Sequence, residues 1–153
     1  MKNFNLKKVF IGLATMLIVS TISIFTAYGQ ATAEATTFPV KVKYVDAEKI
    51  IPNSTIYFAY WDEKASKLVE QTADTGNGQV VTFNVPFGET GATYPFVVLL
   101  SKDDMETVKE HAGSGRIRAL RIPAGADCES LELEMTKDGG SSNKGCSIQM
   151  WSI

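Results

Sequence analysis

The residues able to do chemistry are few in this chain, and most of them have a plain structural duty. His111 is the only histidine. It closes the stretch SKDDMETVKEH, whose Ser101-Lys102-Asp103-Asp104 start and apolar spacing at Met105, Val108 and Ala112 predict a helix of two or three turns. A histidine in a last helical turn is favoured by the helix dipole without any catalytic task. To act as a general base it needs a serine held in a nucleophile elbow, and no serine here sits in one. A small hydrolase using His111 is therefore the remote reading, and no catalytic residue is assigned. Asp103, Asp104 and Glu106 could line a cation site, but acids in a first turn also stabilise the helix N-terminus. One histidine and two cysteines have no zinc spacing, and Asp138-Gly139-Gly140 is too short for a calcium loop. Neither a metal nor a cofactor is expected.

Tyr57, Tyr60 and Trp61 form a richer group, within TIYFAYW. Aromatic side chains on an exposed sheet face can stack on sugars or anchor a partner peptide. On a buried strand the same residues only fill the two sides of a sheet. Arg116, Arg118 and Arg121 could bind an anion or pair with the acids of ESLELEM. Cys128 and Cys146 remain. In an exported domain two cysteines normally oxidise. Yet if 131–135 and 147–153 form a simple hairpin across KDGGSSNKG, the two thiols lie at its opposite ends, beyond the roughly 7 Å between Cα atoms that a disulfide tolerates. Either the last strand pairs elsewhere or the thiols stay free, and the disulfide is the preferred reading.

The elements that must position these groups begin after residue 30. Lys2, Lys7 and Lys8 precede the apolar run VFIGLATMLIVSTISIFTA, and small residues follow it at Ala27-Tyr28-Gly29 and Ala31-Thr32-Ala33. That order describes a secretory signal peptide over residues 1–30, cleaved between Tyr28 and Glu34, with a retained anchor as the rival reading. Residues 31–37 form a polar spacer, and 38–153 one domain large enough for a hydrophobic core. The chain has 15 lysines and arginines and 17 acids. Removing the three leader lysines leaves 12 against 17, a net charge of −5. No general attraction for nucleic acid or for anionic membrane follows from that balance.

Strand signals recur every eight to twelve residues along the domain. FPVKVKYVD alternates apolar and lysine, TIYFAYW is apolar on both faces, and YPFVVLL reads as a strand buried on both sides. The stretch TADTGNGQVVTFNVP predicts the central hairpin. Asn77-Gly78 is its two-residue turn, with Val81, Phe83 and Val85 facing the core. RIRALRI and ESLELEM are expected to pair across Gly125, placing Arg118 opposite Glu132 and Arg116 opposite Glu134. Residues 137–145 are expected to be a flexible loop and 147–153 the closing strand. The helix is expected as a cross-connection at the sandwich edge.

The succession VKVKYVD, a Pro-Asn turn, an aromatic strand, T…GNGQVVTFNVP and an apolar strand with a tyrosine resembles the transthyretin-like or prealbumin-like sandwiches. Among these are the carboxypeptidase regulatory-like domains and the collagen-adhesin B-type repeats of surface proteins. The resemblance spans roughly residues 40–100 and rests on turn glycines and alternating valines. It implies an accessory, spacer or adhesive module. A Lys–Asn isopeptide crosslink known in some such modules is not carried over. Lys41 or Lys43 could supply the amine, but CSIQMWSI has no asparagine and YPFVVLL no acid.

The expected fold is all-β, a single immunoglobulin-like or prealbumin-like sandwich of about seven to eight strands with one short helix. The expected function is that of an exported, non-enzymatic module with a structural, accessory or adhesive role, secreted, periplasmic or at the cell surface. Its partner would be a cell-surface protein or polysaccharide. The alternative is a carbohydrate- or peptide-binding domain using the face of Tyr57 and Trp61.

Overall fold

The computed structural model describes residues 36–153; the expected signal peptide and residues 31–35 of the spacer lie outside them. Strand β1 (Thr37–Asp46) buries Phe38, Val40, Val42 and Val45 and leaves Lys41 and Lys43 partly in water, following the alternation of its sequence. It turns into β2 (Lys49–Ile50), then β3 (Thr55–Asp62), β4 (Lys67–Asp74), β5 (Val81–Pro86) and β6 (Phe96–Leu99) follow. Helix α1 (Lys102–His111) precedes β7 (Arg118–Arg121), β8 (Leu131–Thr136), β9 (Ser141–Lys144) and β10 (Gln149–Ser152).

Ten strands and one helix thus make up the described residues, arranged in two five-stranded sheets. In one, β5 and β2 both pair with β1, and β8 and β9 follow on its other side; the second runs β10-β7-β6-β3-β4. Between the sheets lies a core built on Val40, Val42, Ile56, Phe58, Val81, Phe83, Val85, Phe96, Ile122, Leu131 and Leu133. The Phe83 ring stacks on Phe58 at 4.8 Å, so β5 and β3 meet across the sandwich. Val81, Phe83 and Val85 are all core residues, as their alternation predicts.

The expected central hairpin does not exist. Strand β4 pairs only with β3, β5 with β1, and the segment 75–80 carries the chain from one sheet to the other. Thr75 is fully buried there: its Oγ1 donates to Ile51 O at 2.7 Å and accepts from Ser54 N at 3.0 Å, clamping this crossing to the one between β2 and β3. A tight hairpin with positive φ at both turn residues does occur, at Ala47 (φ 47) and Glu48 (φ 68) between β1 and β2. Its residues give no sign of it, since neither is a usual left-handed residue.

The charge-paired ladder of Arg116–Ile122 with Glu129–Met135 is also absent. Strand β7 belongs to the second sheet and β8 to the first, where β8 runs parallel to β1. Arg118 faces Ser152, while Glu132 lies between Lys41 and Lys144. Exposed charge pairs contribute about 0.2–1 kcal/mol each, too little to choose a strand partner against the burial of two apolar faces. The expected loop 137–145 contains a strand, β9, paired with β8. It is also tight, for a Cβ added at Gly140 would come within 2.7 Å of Thr136 Oγ1.

The helix starts as predicted, with Ser101 Oγ accepting from Asp103 N and Asp104 N. It does not sit at the sandwich edge. Met105 and Val108 pack on Ala59, Val97 and Ala119, so α1 covers the outer face of the second sheet and forms a second small core with Ile153.

Candidate functional site

The two faces of β3 go to different layers. Tyr60 lies on the core side, its ring 6.0 Å from that of Tyr94 in a stacked arrangement. Tyr57 and Trp61 lie on the other side, against the core beneath α1. Ala59 between them is fully buried, and the helix passes over it. Gly113, just beyond the helix, rests on the Trp61 indole so closely that a Cβ there would be 3.0 Å from Cη2; its φ of +82° independently favours glycine. Tyr57, Tyr60 and Trp61 are therefore all half-buried, on two different surfaces, and no continuous aromatic platform joins them. Desolvation first, and then the Asp62 carboxylate, raises the hydroxyl pKa of Tyr60 above the ordinary tyrosine value. The same two causes, in the same order, raise that of Tyr94.

The helix carries its polar groups outward. Lys109 Nζ lies 3.0 Å from both Glu70 and Glu106, tying α1 to β4, and these two carboxylates raise the pKa of its ammonium, Glu70 most. Asp103 and Asp104 are exposed in the first turn. His111 is half-buried in the last turn, where its carbonyl accepts from Ser114 N and Ser114 Oγ. Among the described residues no three His, Cys, Asp or Glu side chains gather closely enough to hold a metal ion.

Cys128 and Cys146 form a disulfide, with Cα atoms 5.5 Å apart. Of the two outcomes left open by the sequence, the last strand pairs elsewhere: β8 takes β9, and β10 joins β7 in the other sheet. Each cysteine sits on a crossing between the sheets, Cys128 between β7 and β8 and Cys146 between β9 and β10. The bond therefore fastens the two crossings at the end of the sandwich where Arg121, Leu131 and Gln149 lie.

At the other end of that same side the sheets part. A cleft of about 170 Å³ opens between them, lined chiefly by Phe96, Val98, Leu120, Leu133 and Met135, with Arg118 and Ser141 at its polar margin. Met150, opposite Leu120 and so on the inner face of β10, is 58% exposed; it lies one strand beyond the cleft-lining Leu120 and is not part of the lining. Trp151, opposite Ala119 on the outer face, is 41% exposed. Its ring lies 4.3 Å from the Arg121 guanidinium, which is itself buried and paired with both carboxylate oxygens of Glu63 at 3.2 and 3.1 Å. Arg121 is thus occupied by a structural ion pair. Arg118 is exposed and has no carboxylate partner among the described residues; its Nη1 donates to Ser152 Oγ at 3.2 Å.

The cleft brings together residues that the sequence keeps apart, from β6, β7, β8 and β9. No sequence motif joins these residues; the exposure of Met150 and Trp151 on the last strand is visible only in the structure. No protein-family model matches this sequence, and no curated protein or solved structure matches it.

Proposed function

We propose that this protein is an exported, non-enzymatic β-sandwich module with an accessory or adhesive role at the cell exterior, and that it holds its partner at the open β9/β10 side. The observation that carries the reading is the apolar cleft between the sheets, with the edge strand β10 beyond it exposing Met150 on the same sheet face and Trp151 on the opposite one. An apolar opening with a polar rim, here Arg118 and Ser141, is a usual mark of an interaction site. The Cys128–Cys146 bond supports an oxidising compartment, in agreement with a leader that directs export. The alternative face at Tyr57 and Trp61 has the poorer geometry, because α1 packs over the residue between them.

The test is retention on the envelope of the organism that makes the protein. Labelled mature protein is expected to adhere, and Met150→Ser with Trp151→Ser to abolish adhesion while the protein stays folded, destabilised only by loss of the Trp151–Arg121 contact, about 1 kcal/mol. Protease or glycosidase treatment of the envelope then separates a protein partner from a polysaccharide. Equal retention of the variant and the unaltered protein would remove the edge from consideration.

A further inference from the structure

The β10 edge presents backbone groups as well as side chains. Ile117 and Ile153 exchange both backbone hydrogen bonds, at 3.1 and 3.0 Å. In an antiparallel ladder such pairs alternate, so Ala119–Trp151 and Arg121–Gln149 are the next bonded pairs. The N–H and C=O groups of Met150 and Ser152 consequently point away from β7, toward open solvent, because β10 is the end of its sheet. The side chains of these two residues lie on the same face of the sheet as Leu120 and Arg118, which line the cleft one strand away.

Resting on the reading of the edge as the binding surface, we propose that β10 accepts an extended acidic-apolar peptide segment as an added antiparallel strand. Its apolar side chain enters the inter-sheet cleft and its carboxylate meets Arg118. Main-chain bonds supply affinity in this mode of recognition, and pockets for alternate side chains supply specificity. Antiparallel addition continues the pattern of the sheet and lets Met150 and Ser152 each exchange two bonds with one partner residue. The partner residue facing Ser152 lies about 10 Å from Arg118 across β10, a gap that an arginine and a glutamate side chain can span, and precedes by two the residue facing Met150. The recognised pattern is therefore Glu-x-Phe, or an equivalent acid and large apolar residue. A cleft of about 170 Å³ matches that side chain, since a cavity of about 150 Å³ holds a benzene ring.

Charge selects this occupant over a second copy of the chain. Pairing β10 with itself would leave two Arg118 side chains on the same inner face, about 14 Å apart, with no carboxylate among the described residues to meet either. An acidic segment neutralises Arg118 instead, and the attraction weakens with added salt.

The probe is the labelled peptide acetyl-Thr-Thr-Glu-Thr-Phe-Thr-Thr-amide, titrated with the mature protein by fluorescence anisotropy. Phe→Ala in the peptide is expected to weaken binding about tenfold or more, as loss of a buried aromatic side chain should. Glu→Lys is expected to weaken it about tenfold, and Arg118→Glu in the protein to reverse that preference. N-methylation of the Glu or Phe amide, whose N–H groups face β10, should abolish binding, and N-methylation of the Thr between them should not. Absence of binding, or equal binding of the Glu and Lys peptides, overturns the peptide assignment. If the envelope adhesion described above still depends on Met150 and Trp151, the edge itself survives that failure. Binding that ignores Met150→Ser and Trp151→Ser overturns both. A concentration-dependent dimer in sedimentation that Met150→Ser dissolves identifies a second copy as the occupant and likewise overturns the proposal.

Discussion

Glu63→Gln tests whether the Arg121 ion pair is a structural element of the second sheet. The Arg121 side chain is 7% exposed and bound by two oxygens of Glu63, and its Nε has no hydrogen-bond partner among the described residues. Removing the partner of a fully buried charge costs about 3–5 kcal/mol. Glu63 is 35% exposed, so water can reach that end of the pair, and about 2 kcal/mol is the better figure. Arg121→Met deletes the charge while keeping most of the volume. It leaves a carboxylate free to hydrate and loses the contact with Trp151, a cost of about 1 kcal/mol. The double variant should then resemble Arg121→Met, at about 1 kcal/mol and not the sum of about 3. Urea denaturation of the four proteins at constant m-value measures the cycle, and Glu63→Gln alone should lower the melting point by roughly 5–10 °C. If Glu63→Gln costs under about 0.5 kcal/mol and the two changes add, Arg121 is hydrated in solution and the burial argument fails.

Phe83→Ala removes a ring stacked on Phe58 between the sheets and should cost about 3–5 kcal/mol by chemical denaturation; an unchanged midpoint would contradict its place in the core. Replacing Ala47-Glu48 by Asn-Gly supplies residues suited to positive φ at both turn positions, and should stabilise the protein by about 1 kcal/mol or more in the same assay. Cys128→Ser with Cys146→Ser opens an 18-residue loop and should cost about 3 kcal/mol on the chain-entropy view, with the melting point falling to that of the reduced protein. Tyr60 and Tyr94 have raised pKa values in the folded state, so the protonated phenols contribute stability that is complete below the unfolded value of about 10. It is lost as pH rises through their folded values, and spectrophotometric titration should find two late-ionising tyrosines.

Much of this architecture is local information. The alternation of β1 and β5, the two-sided apolarity of β3, the start and stop of α1 and the all-β class can be read from residue types and spacing, because each depends on which faces of a short segment must leave water. Period-two alternation says that a strand has a buried face and not which sheet it joins, since both inner faces of a sandwich bury the same kind of residue. That degeneracy explains the misassigned pairs. TGNG is a strong turn signal used here to cross between sheets, and the arginine strand and the acidic strand both look inward from opposite layers. The disulfide and the cleft depend on those crossings. Cys128 meets Cys146 only because β10 leaves the sheet of β8 and β9. Arg118, Leu120, Leu133 and Met135 come together only where the two sheets separate beyond that bond. Strand alternation, legible in TIYFAYW, sets Tyr60 on the core side and Tyr57 and Trp61 on the other, whereas the helix that packs over Ala59 between them came only with the tertiary structure. Local burial demands were encoded in the sequence pattern, whereas the choice of neighbouring strand, decided by packing of the whole sandwich, left the inter-sheet cleft open and made β10 an edge.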